Sequence, residues 1–96
     1  MRAYVIVQVE VHDQRPYDAY RKDVPETIEA YGGRFLVRGG TMTVLEGSWP
    51  YPRTVVIEFP SRKDAEAWYR SPAYQKILPL RLKAAKANLI IVDGAA

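Results

Sequence analysis

His12 is the only histidine in the chain, and it stands at the end of the first apolar run, where a turn can open onto a pocket. Imidazole is the usual acid or base near neutral pH. No partner that would tune it is evident, so an exposed turn residue is the plainer account. Glu58 is the stronger anomaly, because it interrupts the apolar run Val55-Val56-Ile57-Glu58-Phe59. A carboxylate covered there must be paired or protonated. Arg34 and Arg38, read as alternating on one face of an earlier strand, are its candidate partners. A structural ion pair is the favoured account; a proton acceptor or an anchor for a polar substrate group is the functional one.

The aromatic residues supply the remaining candidates. Glu46 and Trp49 place an acid and an indole at a loop mouth, and Trp68, Tyr69 and Tyr74 fall on helices that would roof a sheet. Such density can line a cleft for a flat apolar ligand, with Tyr69 as a further acid–base candidate. Helical aromatics also fill cores, with phenol oxygens reaching the edge. Arg81, between Leu80 and Leu82, can reach an anionic group from a helix; a solvated face is the simpler reading.

Composition narrows the function classes. Ninety-six residues, 48% of them hydrophobic, suit a single domain over residues 1–96. Without cysteine there is no disulfide or thiolate metal site, and His12 beside Asp13 lacks metal-ligand spacing. No metal and no cofactor is expected. No apolar run is long enough to span a bilayer, and the start lacks a signal-peptide pattern, so a cytoplasmic address is expected. A formal charge of +3 is weak support for a polyanion partner. The sequence also lacks a phosphate loop, a nucleophile elbow and a dinucleotide fingerprint.

These residues are positioned by a β-α-β-β-α-β order. Residues 3–11 alternate as a strand, with Val5, Val7, Val9 and Val11 on one side. A helix capped by Asp13 carries Tyr17, Tyr20, Val24, Ile28 and Tyr31 as a stripe, kinked or restarted at Pro25, and Gly32-Gly33 closes it. Arg34 to Arg38 is a second strand, with Phe35 and Val37 on one face. After Gly39-Gly40, Thr41 to Glu46 resumes an extended pattern, either one strand bent at a bulge or a strand with an appended arm. Gly47 to Pro52 is a loop, and residues 53–59 are a strand. Ser61 and Ser71-Pro72 start helical segments. Pro79 is expected to break the second of these before a last helical stretch to about Lys86. Asn88 to Asp93 is the final strand, and Gly94-Ala95-Ala96 a tail.

This order gives an α+β ferredoxin-like βαββαβ sandwich, an antiparallel sheet with helices on one face. The other face carries apolar residues on every strand and needs a cover, which a second copy would supply as a homodimer. RNA-recognition modules share the order but stack bases on aromatics of the central strands. Here only Tyr4 is available, Val55 and Ile57 replace aromatics, and Glu58 would repel phosphate, so no nucleic-acid partner is expected.

Several motifs sharpen this: Tyr31-Gly32-Gly33-Arg34, Arg38-Gly39-Gly40, Leu45-Glu46-Gly47, Glu58-Phe59-Pro60-Ser61, Ala67-Trp68-Tyr69-x-Ser71-Pro72-x-Tyr74, and Val92-Asp93-Gly94. Together they resemble the domain of unknown function 1330 family across essentially the whole chain. The resemblance implies a dimeric α+β barrel, in which two ferredoxin-like subunits join their sheets. That superfamily includes cofactor-free monooxygenases on aromatic polyketides, isomerase-like lactone enzymes, haem enzymes and ligand-sensing domains. The family has no settled activity, and fold does not transfer a reaction. Two expectations stand: a cofactor-free enzyme on a small apolar or aromatic metabolite, or a non-catalytic small-molecule-binding or structural dimer.

Overall fold

A computed structural model describes residues 1–95; Ala96, the end of the expected tail, lies outside the described residues. Alternation places Val5, Val7 and Val9 of strand β1 (Ala3–Val11) in the core, with Tyr4, Ile6 and Gln8 on the opposite face. Strand β3 (Arg53–Phe59) repeats this with Val55, Ile57 and Phe59. With β2 (Arg34–Arg38) and β4 (Ala85–Asp93) they form one antiparallel sheet in the order β2-β3-β1-β4. This is the expected ferredoxin-like βαββαβ arrangement.

Helices α1 (Gln14–Glu29), α2 (Arg62–Arg70) and α3 (Pro72–Ala84) supply the second layer. Ser61 and Ser71 each accept a hydrogen bond from the backbone three residues on, at Asp64 and Tyr74, and so start α2 and α3. Asp13 is the N-cap residue of α1, but its side chain makes no capping bond. Gly32 ends the α1 turn at φ 77°, a conformation that only glycine adopts without strain. The core joins the inward sheet face to Tyr17, Tyr20, Val24, Ile28, Trp68, Tyr74, Ile77 and Leu78. Phe59, Trp68, Tyr74, Tyr20 and Tyr17 form a continuous run of rings, tightest between Trp68 and Tyr74 at 4.2 Å between centroids.

Three expectations are corrected. Pro25 and Pro79 lie inside continuous helices, so α1 does not restart and α3 does not break. Pro79 is on the exposed side of α3, where water can satisfy the carbonyl freed by its missing N–H. Continuing α3 through Pro79 leaves no linker, so β4 begins at Ala85 rather than Asn88. Of the two readings of residues 41–46 the appended arm holds: they form no strand and run exposed beside the sheet. Finally, β2 carries a bulge between Phe35 and Val37, with Leu36 the extra residue. That extra residue resets the alternation, so Arg34 faces one way and Arg38 the other.

Candidate functional site

The two arginines of β2 mark two polar clusters on opposite faces of the sheet. On the open face, Arg34 pairs across the strands with Glu58, which also stands opposite Tyr4. Arg34 Nε donates to Glu58 Oε1 at 3.0 Å, and the Tyr4 hydroxyl donates to Oε2 at 3.2 Å. Arg2 Nε lies 3.9 Å from the same carboxylate. The hydrogen bond from Arg34 is the main cause holding the Glu58 carboxyl below its ordinary value, against the opposing effect of burial. Glu58 is therefore an ionised acceptor at neutral pH, a weak base with its lone pairs occupied.

The Glu58 row is one of three that span three or more strands of the open face. The next brings together Ile6, Val56, Ile90 and Val37, and the third Gln8, Thr54 and Asn88. The middle row is apolar on all four strands, and Ile90 is 55% exposed in the single chain. At the edge, the arm from Gly40 to Glu46 and Trp49 border a shallow groove against Val37 and Thr54. Trp49 Nε1 donates to Thr54 Oγ1 at 3.0 Å. Glu46 and Trp49 thus share that groove and do not meet Glu58 in it.

Arg38 points to the covered face. Its guanidinium donates to the Arg21 carbonyl at 2.7 Å and lies over the Phe35 ring, 4.3 Å from the centroid. It is no partner of Glu58, which corrects the expected alternation. There it borders a narrow cleft between the sheet and the helices, with a cavity of about 30 Å³, room for a water or two. Val7, Val9, Val55, Ile57 and Leu89 form its floor, and Val24 and Trp68 its apolar roof. Its polar lining consists of Tyr17, Tyr20, Arg21, Arg38, Arg53 and Arg81.

Each of these residues arrives by local geometry. Arg53 begins β3 on the same side as Val55 and Ile57, and its Nε donates to the Tyr17 hydroxyl at 3.1 Å. Gly39 has φ 73° and lies so close that a Cβ would strike the Arg53 guanidinium. Arg81 continues the α3 stripe of Tyr74, Ile77 and Leu78 and is only 5% exposed. One of its terminal nitrogens donates to the Tyr74 hydroxyl at 3.5 Å, while Nε has no partner. The Tyr74 and Tyr20 hydroxyls are 2.8 Å apart. Burial, then the neighbouring Tyr74, pushes the Tyr20 phenol well above its ordinary value, so it is protonated at neutral pH. Burial, then the like charges of Arg21 and Arg53, lowers the Arg38 guanidinium.

The sequence-derived candidates are therefore dispersed. Arg38 and Arg81 line the cleft, whereas Arg34 and Glu58 lie on the open face. His12 is exposed in the turn after β1, its backbone N–H bonded to the Ala84 carbonyl at 2.9 Å. Trp68 is buried, with Nε1 donating to Thr27 Oγ1 at 3.0 Å, and Tyr69 is half-buried against Trp68 and Tyr74. Arg21 and Arg53 were not singled out from the sequence, and Tyr17 and Tyr20 only as part of the helical stripe. The available signal was parity: Arg53 shares the phase of Val55 and Ile57. Arg81 follows Tyr74, Ile77 and Leu78 at helical spacing, a stripe that a break at Pro79 conceals. Among the described residues no group of three His, Asp or Glu side chains could hold a metal, and no helix is long and apolar enough to cross a membrane.

The model of a domain of unknown function (DUF1330) matches residues 2–95. A protein of unknown function from Rhodopseudomonas palustris shares 20% identity at a TM-score of 0.79, over 99% of this chain and 83% of its own. A dimeric ferredoxin-like protein of unknown function from Jannaschia sp. CCS1 is 12% identical at a TM-score of 0.68, over 98% of this chain and 100% of its own. SnoaB, a cofactor-independent oxygenase from Streptomyces nogalater, is 8% identical at a TM-score of 0.57, over 99% of this chain and 94% of its own. At these identities the likeness is one of fold. Comparison with curated proteins found no match.

Proposed function

This chain belongs to the DUF1330 family, and we propose that it is a homodimer that binds a small apolar or aromatic metabolite between its sheet and helices α1 and α3. The observation that carries the reading is the cleft itself. It joins an apolar floor and roof to several convergent polar groups, as small-molecule sites do, around a space of about 30 Å³ that a ligand must widen. It also lies on the face of the sheet that dimerisation would leave free. The apolar open-face row supports the dimer, since a patch of that kind is unfavourable in water, as does the dimeric fold relative from Jannaschia.

A binding module is the reading that the polar groups favour. The cleft contains phenols and guanidinium groups but none of the acid–base candidates: His12 is in an exposed turn, Glu58 is on the other face, and Tyr69 lies outside the cleft lining. A cofactor-free enzyme is the second reading. In its favour, a phenol pair beside a guanidinium can stabilise an oxyanion as it forms, and SnoaB has the same fold.

Native mass spectrometry and amide NMR with a metabolite library test the proposal together. The expected result is a dimer at micromolar concentration, with ligand-induced shifts centred on Val24, Val55 and Leu89. A monomer at every concentration would refute the dimer. Shifts confined to the open face or the arm would refute the cleft.

A further inference from the structure

The cleft has an excess of hydrogen-bond donors that its apolar walls do not explain. Arg81 is buried with Nε unpartnered, and a guanidinium offers five N–H donors and no acceptor. The Tyr20 and Tyr74 hydroxyls share one hydrogen bond, and Tyr74 also receives Arg81. Two hydroxyls bring two protons, and the bond between them uses one. Whichever way it runs, one phenolic proton remains without an acceptor among the described residues. Arg53 likewise donates to Tyr17, whose own proton has no recorded acceptor.

Charge points the same way. Arg34, Arg62 and Arg70 each pair with a carboxylate within 3.4 Å. Arg21, Arg38, Arg53 and Arg81 pair with none among the described residues, and no acidic side chain lines the cleft. Asp18, at the outer rim beside Arg21 and Arg38, instead accepts from Gln14 at 2.8 Å. Burying an unpaired cation is unfavourable, and removing its partner is among the costlier changes a protein can suffer. A site with only donors and an uncompensated positive charge is complementary to a group with only acceptors and a negative charge.

We propose that the cleft takes an organic acid, with its carboxylate on Arg81 and the Tyr20 hydroxyl, which Tyr74 holds from behind, and its flat apolar body against Val7, Val55 and Leu89. This rests on the binding role proposed above and names its ligand class. Arg38 and Arg53, less deeply buried, attract the acid at the mouth. At about 30 Å³ the cavity matches the carboxylate alone, so α1 must part from the sheet to admit the body.

Benzoate, its neutral isostere benzamide, and inorganic phosphate distinguish the outcomes when titrated into the intact protein by calorimetry and amide NMR. Benzoate is expected to bind at least tenfold more tightly than benzamide, with phosphate weaker than benzoate. Arg81→Met should reduce benzoate to the level of benzamide and leave benzamide unchanged. Because it removes an unpaired buried charge, it should also raise the Tm of the free protein. Arg38→Gln, at a half-exposed position, should weaken benzoate several-fold and keeps the test intact if the Arg81 variant misfolds. Equal binding of benzoate and benzamide at the cleft would overturn the acid while sparing the cleft. Phosphate binding as tightly as benzoate would overturn the apolar body. Binding of none of them would overturn the acid, and the wider metabolite library then judges the cleft separately.

Discussion

Arg34 and Arg38 belong to one short strand, yet one neutralises a carboxylate on the open face and the other joins a cation cluster under the helices. The Arg34–Glu58 pair has a measurable signature. Its hydrogen bond holds the Glu58 carboxyl below its ordinary value, so the pair stabilises the fold fully above the unfolded carboxylate pKa of about 4.3. That contribution is lost as pH falls through the lower folded value. Glu58→Gln should therefore lose less Tm than the wild type between about pH 5 and pH 2, measured by calorimetry; parallel curves would show that the pair contributes nothing. Glu58 was conspicuous in the sequence because a charge inside an apolar strand needs an explanation. Arg81 was less so, because its significance lies in what surrounds it. A side chain with no partner is legible only once the neighbours are in place.

At the scale of elements, alternation and capping residues specify most of the architecture. Valines at every second position place β1, and Ser61 and Ser71 place the helix starts. The errors fall where a local preference is overruled by packing. Proline disfavours a helix interior, but α3 is held on both sides of Pro79 by Tyr74, Ile77, Leu78 and Arg81. The preference still has a cost, so Pro79→Ala should raise stability, by up to about 3 kcal/mol, in urea unfolding. An unchanged or lower midpoint would mean that the proline ring itself stabilises the helix. The arm was legible only as one of two readings: Thr41 to Glu46 has strand composition, but no neighbouring strand supplies its ladder.

At the scale of the molecule, the two faces of the sheet have separate tasks. The covered face builds the core and the cleft; the open face has an apolar middle row between polar ones. A second copy that covers Ile6, Val56 and Ile90 would remove that row from water and keep the Glu58 row near the rim. Ile90→Lys places a charge at the centre of this surface and should shift the mass of the protein from dimer toward monomer, by native mass spectrometry, without loss of helix signal. A variant as dimeric as the wild type would place the seam elsewhere. The expectation of a partner came from apolar residues on both sides of the strands. The identity of the open side was not legible there, because β1 and β4 are apolar on both faces and only the helices decide which is covered.

The bulge at Leu36 makes the division of labour a matter of parity. Before it, even-numbered Arg34 addresses the open face; beyond it, even-numbered Arg38 addresses the interior. One supernumerary residue therefore lets a short stretch of code deliver like charges to two destinations. The same arithmetic makes the strand intolerant of a frame change: losing Leu36 would send both sets of side chains to the wrong address at once.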